Sequence, residues 1–90
     1  MSVTYKFTEK EKWLFYHALN GQSFFEGRWE CQYDDFHDKR ELTVRSQREA
    51  KKILSLIKSY WKEKYYDLKW FEQSSLTEWR KMICEDFRIK

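Results

Sequence analysis

The stretch from Ser46 to Leu68 has the apolar spacing of one amphipathic helix. Apolar side chains recur at every third or fourth position, as a helical period of about 3.6 residues requires. The positions are Ala50, Ile53, Leu54, Ile57, Tyr60, Trp61, Tyr65 and Leu68. Ser46 and Glu49 form a capping-box pattern, in which the hydroxyl and the carboxylate each accept a hydrogen bond from a backbone N–H of the first turn. We therefore predict a helix that begins after Ser46 and packs this stripe on the core.

Alternation with a period of two indicates strands before this helix. Residues 3–7 alternate as a short half-buried strand, and residues 41–45 alternate again after a polar, turn-rich stretch at 34–40. Between them, residues 23–33 place Trp29, Cys31 and Tyr33 on one side, which predicts a strand with Cys31 pointing inward. The segments 23–33 and 41–45 are thus expected to form a β-hairpin.

Two further capping boxes predict two more helices. The pattern Thr8 to Glu11 opens a helix that is expected to end at Asn20-Gly21, with Gly21 at the C-cap position that favours positive φ. The pattern Ser75 to Glu78 opens a terminal helix, while residues 66–71 fit either a continuation of the long helix or a last strand.

The predicted fold class is α+β in a single domain over residues 1–90. A small antiparallel sheet of three or four strands is packed by two helices, with a third helix at the C-terminus. If 66–71 is a strand, the order is the βαββαβ of a ferredoxin-like sandwich. If it is not, a three-stranded sheet with three helices is the simpler arrangement.

Composition narrows the class of protein. The chain has 41% hydrophobic and 37% charged residues, which favours a folded domain and leaves no apolar run of membrane-spanning length. The first six residues lack the order of a secretory signal, so a cytoplasmic protein with no membrane partner is expected. Cys31 and Cys84 show no zinc-ligand spacing and are interpreted as reduced thiols.

Candidate chemistry is sparse. Asp34, Asp35, His37 and Asp38 come close together, but acids in a turn usually bond their own backbone, and no calcium-loop or zincin pattern is present. The sequence offers no identifiable nucleophile that His17 would activate as a general base. We therefore predict a protein that is not an enzyme, with no catalytic residues, no metal site and no cofactor.

Aromatic residues make up 20% of the chain, about double an ordinary share. Because a small core has limited room for them, some are expected at the surface, where Trp and Tyr anchor interfaces. A row of cations also follows one face of the long helix. The candidate partner-binding residues are Arg48, Lys51, Lys58, Lys62, Tyr66, Lys69 and Trp70, together with Trp13 and Tyr16 on the first helix.

These features predict a small cytoplasmic protein-binding module, acting stoichiometrically as an inhibitor or adaptor. Its character is that of the small proteins with which phages and mobile elements inhibit host or defence machinery. The alternative is a nucleic-acid-binding protein, because lysines beside exposed aromatics also suit single strands. Net charge is only +3, so that alternative depends on the local row. An aromatic face could equally join two copies of the chain into a homodimer.

Overall fold

The computed structural model describes residues 2–27 and 29–89. The chain is mostly helical, with a two-stranded antiparallel sheet, and is α+β in that coarse sense. In chain order the strands and α-helices are β1 (Val3–Lys6), α1 (Glu9–Ala18), α2 (Gly21–Phe25), β2 (Glu41–Val44), α3 (Gln47–Lys64) and α4 (Trp70–Asp86). Shorter 3₁₀ or π-helical turns occupy Glu30–Gln32, Asp35–Lys39 and Tyr65–Asp67.

The two predicted strands that the structure confirms pair with each other. Their register sets Val3 opposite Val44 and Tyr5 opposite Leu42. Tyr5, Leu42 and Val44 are buried, as the alternating pattern predicts. The two-stranded sheet packs against a core that is formed mostly by helices.

The predicted strand over residues 23–33 is wrong. This segment forms α2 and the turn Glu30–Gln32, with Trp29 fully buried and Cys31 exposed instead of pointing inward. A neighbouring strand would have accepted a hydrogen bond from the backbone N–H of Thr43. Here the side-chain oxygen of the buried Gln32 accepts that hydrogen bond, at 3.0 Å. Within the described residues the sheet therefore has two strands, and neither a third or fourth strand nor the ferredoxin-like order is confirmed.

The boundaries of α1 are partly as predicted. The Thr8 hydroxyl accepts from the Glu11 backbone, and the Glu11 carboxylate accepts from the Thr8 backbone, so the capping box is confirmed. At the other end Asn20, not Gly21, adopts the left-handed conformation, with φ 56°. Gly21 instead begins α2, at a position where the Tyr16 ring leaves no room for a β-carbon.

The long helix begins as predicted but ends earlier. Ser46 caps α3 by accepting from the Glu49 backbone at 3.2 Å, while the Glu49 carboxylate accepts from Arg45 at 2.8 Å, one residue earlier than expected. The helix ends at Lys64 rather than Leu68. Residues 66–71 are neither strand nor continued helix, since a turn precedes α4, and the pattern Ser75–Glu78 lies inside α4 instead of opening it.

A single aromatic-rich cluster forms the core. Phe15 stacks on Trp79 with ring centroids 4.3 Å apart, and Phe7 meets Phe15 edge-on at 4.8 Å. Ala50, Ile53 and Ile57 of α3 are fully buried against this cluster, as the predicted stripe requires. Within the part of the chain that the structure describes, no helix is both long and apolar enough to cross a membrane.

Candidate partner-binding surface

Helices α3 and α4 form an antiparallel hairpin that carries most of the candidate residues. Near its open end the Gln47 side chain donates to the Phe87 carbonyl at 3.1 Å. Near its closed end the Gln73 side chain donates to the Leu68 carbonyl at 3.1 Å and to that of Tyr65 at 3.4 Å. These hydrogen bonds connect α3, or the turn that follows it, to α4 near both ends of the hairpin.

The sequence explains the turn of the hairpin. After Lys64 the chain makes the turn Tyr65–Asp67, and Leu68 then adopts an extended conformation that buries its side chain in the core. The backbone N–H of Lys69 donates to the Glu72 carboxylate at 2.9 Å. This hydrogen bond caps the N-terminus of α4. Because Leu68 is the residue that turns inward, its aromatic neighbours face outward.

We call the outward-facing residues Tyr65, Tyr66 and Trp70 the aromatic end of the hairpin. Tyr66 is 97% exposed and Trp70 is 83% exposed, so neither contributes appreciably to the core. Tyr65 is less exposed and lies between Trp61 and Tyr66, with ring centroids 5.8 Å and 5.3 Å away. These contacts support one side of the patch and leave the faces of Tyr66 and Trp70 open.

The predicted cationic row is exposed along α3 but does not extend to Lys69, because α3 ends at Lys64. Arg48, Lys51, Lys58 and Lys62 are all exposed on α3, and Lys69 is exposed at the start of α4 beside Trp70. Among residues 2–27 and 29–89, none of these five cations has an ion-pair partner. Their charge is therefore left for solvent or for a ligand.

Trp13 and Tyr16 belong to a different surface. Trp13 is 45% exposed and packs edge-on against His37 at 5.9 Å, and the buried Lys12 ammonium lies 4.7 Å from its ring centroid. Tyr16 is half-buried and stacks on Phe25. In the described chain no ring contact joins either residue to the cationic row, so the structure separates these two candidates from the other seven.

Lys12, next to Trp13, connects α1 to a neighbouring turn. Its ammonium donates to the His37 carbonyl at 3.1 Å and pairs with Glu9 at 3.0 Å, which ties α1 to the turn Asp35–Lys39. The hydrogen bond from Lys12 lowers the pKa of Glu9 below its ordinary value. A buried ammonium requires such partners, so Lys12 has a structural role here.

The acidic cluster makes local contacts on that turn. Asp35 pairs with Lys39 at 3.3 Å, and Asp38 lies 3.0 Å from the His37 ring nitrogen. Across residues 2–27 and 29–89 no three histidine, cysteine or carboxylate side chains converge in a way that could hold a metal ion. His17 is exposed and lines an open groove together with Tyr60. Burial of the Tyr60 hydroxyl raises the pKa of that side chain above its ordinary value.

Sequence reasoning missed the contribution of α4 to this surface. Arg80 and Cys84 lie one helical turn apart on α4 and face Lys51 and Lys58 across the hairpin. The only sequence signal was their spacing of four residues, which becomes informative once the antiparallel pairing of α3 and α4 is known.

Comparison of the chain with protein-family models, with curated proteins and with solved structures finds no match.

Proposed function

We propose that this protein is a binding module for another protein and docks through the aromatic end of the α3–α4 hairpin. The observation that carries the proposal is the exposure of Tyr66 and Trp70 at the turn between α3 and α4. Contiguous exposed apolar patches mark interaction sites more often than single exposed side chains do, and Tyr65, Tyr66 and Trp70 lie within six residues of one another at this turn.

The expected binding energy is concentrated in these side chains. Tyr and Trp are the usual anchors of protein interfaces, and truncating such an anchor typically costs about 2 kcal/mol or more. Lys62 and Lys69 flank the patch and would speed association with an acidic partner. We infer that a module of 90 residues that binds in this way acts stoichiometrically, as an inhibitor or adaptor.

Capture of partners from a lysate of the native host tests this proposal. The variant Tyr66→Ser/Trp70→Ser removes one tyrosine and one tryptophan from the aromatic end. The matched control Trp13→Ser/Tyr33→Ser removes the same two residue types from the other exposed aromatic surface. We expect a protein that the wild type and the control retain and that the first variant loses at least about thirtyfold. Loss in the control alone would move docking to α1, and equal retention by all three would refute the proposal.

Nucleic acid is the second candidate, and the unpaired cationic row favours it specifically. If single strands bind there, affinity for oligonucleotides should fall steeply with salt, and Lys51→Gln/Lys58→Gln/Lys62→Gln should abolish it while the fold is retained. No oligonucleotide binding at low salt would exclude this candidate. Sedimentation of the wild type and of Tyr66→Ser/Trp70→Ser tests the third partner, a second copy of the chain.

A further inference from the structure

A groove runs between α3 and α4, toward the open end of the hairpin and away from the aromatic end. We call it the hairpin groove; its volume is about 490 Å³. The lining residues are Lys51, Leu54, Ser55, Lys58, Arg80, Cys84 and Ile89. The α3 members lie at successive turns of one helix face, so the groove follows the helix axis.

The floor of the hairpin groove is apolar and already formed. Leu54, Cys84 and Ile89 are half-buried, so part of each side chain remains open to solvent. Leu54 and Ile89 also pack against the core cluster. The backbone N–H of Ile89 donates to the Cys84 carbonyl at 2.9 Å, which holds the last described residue in place.

The rims of the groove are cationic on both sides. Lys51 and Lys58 lie on the α3 rim, and Arg80 lies on the α4 rim. No carboxylate is among the lining residues, and none of the three cations pairs with another described residue. The carboxylate of Asp86, farther along α4, accepts a hydrogen bond from the Tyr5 hydroxyl at 2.9 Å and does not pair with these cations. An occupant with acidic side chains would therefore supply the missing counter-charges.

We propose that the hairpin groove binds an acidic amphipathic helix of a partner protein. Its apolar side chains cover Leu54, Cys84 and Ile89, and its carboxylates pair with the cations on the two rims. The proposal rests on the proposed function and adds the chemistry of the partner. Lys51 and Lys58 are about 10.5 Å apart along α3, at about 1.5 Å per residue, which matches acids seven residues apart on a second helix.

Charge and floor chemistry together favour a protein segment over nucleic acid. Binding to single strands without sequence preference uses aromatic rings as stacking platforms, and this floor is aliphatic apart from one thiol. An apolar floor between charged rims is the arrangement that receives an amphipathic helix.

Selection from a displayed library of peptides of about 16 residues, roughly 24 Å as a helix, tests the proposal. The full chain is the target, and Lys51→Gln/Lys58→Gln/Arg80→Gln is the counter-target. The matched control Lys52→Gln/Lys64→Gln/Lys81→Gln removes the same charge from exposed positions on the same two helices outside the groove. Circular dichroism confirms that both variants fold.

We expect the selected peptides to be acidic, with apolar residues at helical spacing. Their affinity should fall at least about tenfold in the groove variant and less than about twofold in the control. Selected peptides that are neutral or basic, or an equal loss in both variants, would overturn the proposal. So would oligodeoxythymidine that binds the groove more tightly than any selected peptide, because phosphate would then be the preferred ligand.

Cys84 provides an independent readout of where a peptide binds. In Cys31→Ser it is the only thiol of the chain, and a bound peptide should slow its modification by a thiol reagent. An unchanged rate at saturating peptide would place binding elsewhere and overturn the proposal. The aromatic end is intact in all these variants, so the two proposals are tested separately. If the wild-type chain selects no acidic peptide that depends on the groove, while Tyr66- and Trp70-dependent capture is retained, the groove alone is refuted. The reverse result would refute the proposed function alone.

Discussion

Gly21→Ala should destabilise the protein although it places a better helix former in α2. A β-carbon at this position would lie 2.3–2.5 Å from three atoms of the Tyr16 ring. The ring cannot simply rotate away, because it stacks on Phe25 at 6.2 Å and lies 6.4 Å from Phe36. Overpacking of this kind costs about 1–3 kcal/mol, and the gain in helix propensity offsets up to about 1 kcal/mol of it. We expect a net loss of about 1–2 kcal/mol in the free energy of unfolding.

Urea denaturation followed by tryptophan fluorescence measures this loss. Gly27→Ala is the matched control, because a β-carbon there meets no atom within 4 Å. The control should leave stability unchanged or raise it by up to about 1 kcal/mol. Adding Tyr16→Leu to Gly21→Ala should recover part of the loss, since the clash involves the ring. Equal stability of the two alanine variants, or no coupling between positions 16 and 21, would show that Tyr16 and a β-carbon at position 21 do not clash.

Three further predictions concern the ionisation of Tyr5, the N-terminal cap of α3 and the two cysteine thiols. Burial and the Asp86 carboxylate raise the pKa of Tyr5 above its ordinary value of about 10, so the free energy of unfolding should fall as pH rises past that value, and less steeply in Tyr5→Phe. Ser46→Ala should cost about 1 kcal/mol in urea denaturation by uncapping α3, and an unchanged midpoint would contradict the cap assignment. Cys31 should react with a thiol reagent faster than Cys84, as single-cysteine variants would show, because Cys31 is exposed and Cys84 is half-buried.

Local signals in the sequence were sufficient for several elements. The starts of α1 and α3 were correct, because a capping box is a contact between residues three positions apart. The paired strands were also correct, since alternation depends on a period that a short window reveals. In the predicted stripe of α3, Ala50, Ile53 and Ile57 are buried, whereas Tyr65 is exposed because the helix ends at Lys64. The same rule failed at Ser75, where a capping-box pattern lies within a helix that Lys69 had already started.

The segment around Trp29 shows why the rest was not predictable. Its alternation over residues 29–33 is too short to separate a strand from helical turns, and Trp29 is buried while Cys31 and Tyr33 are exposed. The hydrogen bond from Thr43 to the Gln32 side chain is a contact across the fold that no periodicity encodes. Left-handed backbone at Arg40 was likewise unforeseen, since glycine or asparagine is the usual residue there.

The candidate partner-binding surface was likewise only partly predictable from the sequence. Exposure of Arg48, Lys51, Lys58 and Lys62 followed from helical spacing on α3. Exposure of Tyr66 and Trp70 was expected only from the excess of aromatic residues, because the helix that would have carried them ends at Lys64. The separation of Trp13 and Tyr16 from that row, and the arrival of Arg80 opposite Lys51, both depend on how helices pack. Such pairings are tertiary, so one sequence does not reveal them.

The proposed function requires that the aromatic end contacts a protein. Photo-crosslinking in a native lysate tests it most directly, with a photoreactive phenylalanine analogue placed at Tyr66 or Trp70 and, as a control, at the exposed Gln22 on α2. We predict that positions 66 and 70 crosslink to the same protein, in proportion to the amount of the chain added, and that position 22 does not. Crosslinks to nucleic acid alone, or the same products from all three positions, would contradict the claim.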